Sequence, residues 1–155
     1  MDSNNEAILV QELRRDEGVR YVPYEDTIGI STVGVGHNLR AAPLPAGWSY
    51  PLTDEQVNAL LSQDLQNVYH DLDRDLPWWT QLCNVRQRVI CNLCFNMGIN
   101  GLLTFHNTLA AVRQGRYEDA KAGMLASKWA TQVGERATRL SDMMEQGENY
   151  AADAV

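Results

Sequence analysis

One short stretch of this chain mixes strand-forming residues with glycine, and almost everything after it repeats at helical spacing. Residues 20–37, RYVPYEDTIGISTVGVGH, combine Tyr, Val, Ile and Thr with Gly29, Gly34 and Gly36. That composition predicts two short strands joined by a turn near residues 26–29. Pro23 is tolerated only on an edge strand, which fits a small exposed sheet. A chain that gathers its strands in one patch and gives the rest to helices reads as α+β, mainly α.

The helices can be placed by their ends. Ser3 or Asn4 can cap a first helix with an apolar stripe of Ile8, Leu9 and Leu13, and Gly18 is its expected stop. Residues 38–52 contain three prolines and read as a loop or an irregular third strand. Thr53 and Gln56 form a capping box. Behind it Val57, Leu60, Leu61, Val68 and Leu72 recur at helical spacing up to a boundary at Pro77. Asn84 is the expected cap of a strongly apolar core helix carrying Val85, Val89, Ile90, Leu93 and Phe95, broken by Gly98 and Gly101. Helices are expected over 109–113, stopped by Gly115, then over 117–129 and over 135–146, the last ending at Gly147. The tail from residue 149 to 155 is expected to fray.

Composition narrows the class. At 155 residues, 45% hydrophobic and 21% charged, the chain suits one soluble domain with a sizeable core. No apolar run is long enough for a bilayer, so no membrane insertion is expected. The first residues lack a basic patch followed by an apolar core, so synthesis in the cytoplasm is the expectation. Cys83, Cys91 and Cys94 suit a reducing compartment, and the last two read as small buried hydrophobes rather than metal ligands. No metal or cofactor is expected. The formal charge of −7 argues against nucleic acid as a partner and is awkward for an anionic polymer. Basic residues still gather locally at Arg14, Arg15 and Arg20, and at Lys128, Arg136 and Arg139.

Glu17, Asp26 and Thr32 are the candidate catalytic residues. A glycosidic bond breaks when its oxygen is protonated while the anomeric carbon gains oxocarbenium character. The donor must hold its proton near neutral pH. Glu17, at the end of a helix, sits where the macrodipole favours the neutral acid, although Arg14, Arg15 or Arg20 would oppose this on close approach. Asp26 in a solvated turn could activate water or act as a nucleophile, and the Thr32 hydroxyl can both donate and accept. Taken singly, a Glu before a glycine is an ordinary helix end, and an Asp opening a turn is an ordinary turn residue.

Together these residues sit in a specific text. The stretch LRRDEGVRYVPYEDTIGISTVGVGHNL resembles the N-terminal signature of phage lysozymes of the T-even type, glycoside hydrolase family 24. That signature is a Glu, eight residues, an Asp, five residues, a Thr and a Gly-rich strand ending in Gly-His, and both gaps are kept here. Similarity resumes at VRQRVICNLCFNMGINGLLTFHNTL and at RYEDAKAGMLASKWATQVGERATRL. The resemblance implies a lysozyme-like fold in a single domain. It consists of a sheet lobe over about 18–54, a linking helix over about 54–72 and a helical lobe over about 78–150. Helix 5–17 packs on the helical lobe, and a cleft lies between the lobes.

The resemblance also implies hydrolysis of the β-1,4 bond between N-acetylmuramic acid and N-acetylglucosamine in peptidoglycan. Glu17 would be the general acid, while Asp26 and Thr32 would position water in an inverting reaction. His37 matches the Gly-His position, Asp64 a carboxylate that can pair with it, and Arg136 an arginine near the catalytic Glu. Asn38, Phe95, Asn96 and Thr108 match positions that line the substrate cleft. The chain departs from the family pattern at Gly123, where an Asn is usual, at FNMG, in its Pro-rich loop before Thr53 and in its acidic charge.

A monomeric phage endolysin is the reading that follows, made in the host cytoplasm and acting on the wall after a hole-forming partner, a holin, opens the membrane. A lytic transglycosylase needs one catalytic acid only, so retention of both Asp26 and Thr32 speaks against it. A non-catalytic wall-binding or tail module has no use for the full set. A bacterial effector of the same chemistry reads identically. His70 and His106 are expected at the surface or in packing, as Trp78, Trp79 and Trp129 are in packing, whereas Trp48 beside the sheet could stack on a sugar.

Overall fold

The computed structural model describes residues 1–151; the end of the tail expected to fray lies outside them. The fold is α+β and mainly helical, with one three-stranded antiparallel sheet. Two compact units make up the chain, Glu6–Asn67 and a second formed by Met1–Asn5 with the chain from Val68 onward.

In the unit of residues 6–67, helix α1 spans Ser3–Glu17 and enters from the other unit. Its cap is Asp2, whose Oδ1 accepts from the Asn5 N–H at 2.7 Å, rather than Ser3 or Asn4. Leu9 and Leu13 are fully buried, but Ile8 is 48% exposed and does not join the stripe. Gly18 ends the helix as expected, at φ +73° with its N–H on the Arg14 carbonyl.

The sheet has the order β1-β2-β3, with β1 Arg20–Glu25, β2 Ser31–Gly34 and β3 His37–Asn38. Pro23 therefore lies on an edge strand, and the β1–β2 register is irregular between Arg20 and Tyr24. The third strand is two residues long, and the Pro-rich segment after it is loop. Gly34 and Val57 approach closely enough that a Cβ on the glycine would lie 3.6 Å from Cγ1 of Val57. Val33, Val35, Leu52, Val57, Leu60, Leu61 and Leu65 complete the buried apolar set of this unit.

Helix α2, Asp54–Asp75, opens with the expected reciprocal box: Thr53 N–H to Gln56 Oε1 at 3.0 Å, and Gln56 N–H to Thr53 Oγ1 at 3.1 Å. The boundary between the units falls within this helix. Pro77 begins a 3-10 turn over Pro77–Gln81, where Trp79 is buried and its indole donates to Asp73 at 2.8 Å.

The second unit is helical, with α3 Asn84–Leu103, α4 His106–Arg113, α5 Tyr117–Leu125, α6 Lys128–Val133 and α7 Glu135–Gln146. Val85, Val89, Ile90 and Leu93 are buried in α3 while Phe95 is half-buried. Three expectations fail here. Cys83 rather than Asn84 occupies the cap of α3, and the Asn84 N–H is satisfied by Glu148 Oε1 at 3.0 Å. Only Gly98 kinks α3, at φ 74°, ψ 164°, while Gly101 continues a helical turn. The helix expected over 117–129 is two, because the Ser127 hydroxyl accepts from the Ala130 N–H and starts a new one. Cys91 and Cys94 are buried, and burial pushes the Cys94 thiol up to about 12. Among the described residues no single helix is long and apolar enough to cross a membrane.

Candidate active site

Glu17, Asp26 and Thr32 fall in one compact unit, on three successive elements. Glu17 is the last residue of α1 and is half-buried. Asp26 follows β1, and its carboxylate is tied down by its own turn. Oδ1 accepts from the Ile28 N–H at 3.0 Å and the Ile30 N–H at 2.8 Å. The Asp26 N–H in turn reaches the Ile30 carbonyl at 2.9 Å, closing the hairpin. Thr32 is buried on β2, and its hydroxyl donates to the Ile30 carbonyl at 2.9 Å.

Tyr24 joins these residues, and sequence reasoning did not single it out. It lies opposite Thr32 in the β1–β2 register. Burial raises the pKa of its phenol, and the charges of Glu17 and Asp26 raise it further, against Arg20. Both carboxylates thus lie within electrostatic reach of one phenol that faces Thr32 across the ladder. The arginines near Glu17 in sequence have other partners. Arg14 donates to Asn58 at 2.8 Å and reaches Asp54 at 3.4 Å; Arg15 pairs with Asp16 at 3.1 Å; Arg20 lies over the Tyr24 ring at 5.0 Å.

His37 and Asp64 pair in the same unit. Nδ1 of the buried imidazole lies 2.8 Å from Asp64 Oδ2, and Nε2 lies 2.7 Å from the Ala42 carbonyl. Both ring nitrogens face acceptors, so the arrangement calls for two N–H groups, the imidazolium. The Asp64 carboxylate raises the His37 pKa; burial opposes this and the Ala42 carbonyl adds to it. A raised folded-state value means the pair's stabilisation is complete below the unfolded value near about 6.5. It is lost as pH rises through the folded value. Urea midpoints should therefore fall with rising pH above neutrality. Asp64→Asn should flatten that slope and cost about 1–3 kcal/mol at low pH; an unchanged slope would remove His37 as its source.

The remaining residues are placed as follows. Asn38 accepts from the Arg40 and Ala41 N–H groups at 2.9 and 3.0 Å, which gives its side-chain oxygen a local turn role. In the other unit, Asn96 Oδ1 accepts from the Trp129 indole at 2.7 Å, and Trp129 packs edge-on to Phe105. Thr108 is buried beside Gly123, close enough that a Cβ there would collide with its Oγ1. The usual Asn could not occupy position 123 without a shift. Arg136 is buried, with Nε and Nη2 on Asn92 Oδ1 at 3.1 and 2.7 Å; Asn92 was not foreseen, because an Asn inside an apolar helix gives no sign of its partner. Among the described residues no cluster of His, Cys, Asp and Glu could hold a metal ion.

Comparison with known proteins identifies the family. The family model described as phage lysozyme matches residues 14–145. The pre-baseplate central spike protein Gp5 of Enterobacteria phage T4 is 28% identical over 98% of this chain, which spans 30% of that protein. A protein named "Probable T4-type lysozyme 1" from Dictyostelium discoideum is 27% identical, covering 87% of this chain and 92% of its own. The endolysin of Salmonella phage P22 is 32% identical over 57% of this chain and 60% of that protein. With the Glu17, Asp26 and Thr32 spacing inside the matched region, the chain belongs to the phage lysozyme family of glycoside hydrolases.

Proposed function

We propose that this chain is a peptidoglycan muramidase acting as an endolysin. It would hydrolyse the β-1,4 bond between N-acetylmuramic acid and N-acetylglucosamine, with Glu17 as acid and Asp26 and Thr32 holding the water. The observation that carries this reading is the match of the phage lysozyme family model over residues 14–145, a span that holds Glu17, Asp26 and Thr32 within one compact unit. Glu17 protonates the glycosidic oxygen as its bond to the anomeric carbon breaks. The Thr32 hydroxyl donates its hydrogen bond to the Ile30 carbonyl, so its oxygen is left to accept from the water. Asp26 uses Oδ1 on two backbone N–H groups, leaving Oδ2 to take the water's proton as it attacks. Attack on the face opposite the leaving oxygen gives inversion. Asn38, Phe95, Asn96 and Thr108 are proposed to contact the glycan, with His37, Asp64 and Arg136 in support.

Mass spectrometry of fragments released from purified wall tests the reaction. A water-added reducing end is expected, and an anhydro-sugar product would move the chain to the transglycosylases. Synthesis in the host cytoplasm, release through a holin-made lesion and action as a monomer complete the proposal; relatives named endolysins support action on the wall after release. Cells producing the chain should stay intact until their membrane is permeabilised and then lyse; lysis without permeabilisation overturns the need for a hole-forming partner. The match of nearly the whole chain to part of a spike protein favours a second reading, a wall-degrading module carried on a virion.

A further inference from the structure

We propose that the helical unit carries a second, non-catalytic site for an acidic amino sugar, an N-acetylmuramic acid unit of wall glycan whose lactyl carboxylate has been freed of its stem peptide. The inference rests on the muramidase reading for its ligand. An open pocket of about 510 Å³ lies among Pro77, Trp78, Gln81, Val112, Arg113 and Tyr117. That volume is within the range of roughly 300–1,000 Å³ typical of small-molecule sites.

Two aromatic residues, Trp78 and Tyr117, line it, both half-buried. Aromatic faces take the C–H face of a pyranose while leaving its hydroxyls to the rim. The Tyr117 ring is held in place from outside the pocket. The Arg86 guanidinium lies 3.3 Å from the ring centroid and donates to the Met144 and Glu145 carbonyls at 2.7 and 2.9 Å. Gly147 leaves room for it, since a Cβ there would come within 2.7 Å of the guanidinium carbon. Binding therefore need not order this ring.

Arg113 and Gln81, both exposed, supply the polar lining. Among the described residues no acidic side chain pairs with Arg113, unlike Arg116, which is bonded to Asp119 at 2.8 Å. A guanidinium at the pocket wall matches a carboxylate bidentately, and the lactyl carboxylate, free where the stem peptide has been removed, is what separates N-acetylmuramic acid from N-acetylglucosamine. On a chain of net charge −7, a local cation of this kind lets an anionic polymer dock.

The test titrates the full-length chain with N-acetylmuramic acid and follows the Trp78 indole N–H by NMR. A saturable shift is expected, weakened at least tenfold by Arg113→Glu and nearly unchanged by Arg116→Glu, which alters net charge equally. N-acetylglucosamine should shift the resonance at least tenfold less readily. No shift at Trp78, equal response to both sugars, or equal weakening by the two arginine variants overturns the proposal. Turnover on purified wall, measured separately, reports on the muramidase reading: a chain that shifts at Trp78 but releases no fragments loses only that reading.

Discussion

A Glu17→Gln variant should fold as the parent does and lose roughly two to four orders of magnitude in wall hydrolysis. The substitution keeps the shape of the side chain and removes its transferable proton. Its structural cost should be small, because the end of α1 is set by the backbone: Gly18 takes φ +73° and returns its N–H to the Arg14 carbonyl. Glu17 is half-buried rather than part of the core, so a thermal midpoint near that of the parent is expected. Initial rates on purified peptidoglycan, read beside a circular-dichroism melt, separate loss of chemistry from loss of folded protein. Activity close to that of the parent would take Glu17 out of the mechanism.

The legible parts of the fold are those where one residue type has a narrow set of conformations. Gly18 as a stop, Pro23 on an edge and the Thr53–Gln56 box each follow from local stereochemistry, and each is found. Where several residues compete for one role, sequence alone does not choose. Asp2, Ser3 and Asn4 are all good caps, and Asp2 wins. Gly98 and Gly101 are alike on paper, yet only Gly98 adopts positive φ. Ser127 can sit inside a helix or start one, and its hydroxyl bond to Ala130 decides for the second.

The same division holds at the site. Glu17, Asp26 and Thr32 were visible because their spacing matches the signature of the family the chain resembles. Partners brought together by tertiary packing were not visible, such as Tyr24 with the two carboxylates or Asn92 with Arg136. Asn38 shows a further reason: its side chain satisfies its own turn, a local bond that competes with any contact outward.

Asp26 offers the sharper test, because its side chain has two separable duties. Oδ1 closes the hairpin by accepting from Ile28 and Ile30, and the charge is proposed to act on water. Asp26→Asn keeps an amide oxygen for the two N–H groups while removing the base. It should retain nearly the parent's stability and lose roughly two to four orders of magnitude in rate. Asp26→Ala removes both duties, so it should match that rate loss and also cost about 0.5–1.5 kcal/mol for each bond given up. The expected pattern is two variants equally inactive and unequally stable, read from initial rates and urea midpoints. An active Asp26→Asn beside an inactive, unstable Asp26→Ala would mean that the residue shapes the turn and takes no proton. The water would then need another base within reach of Thr32, and the effect of the Asp26 charge on the Tyr24 phenol would play no part in catalysis.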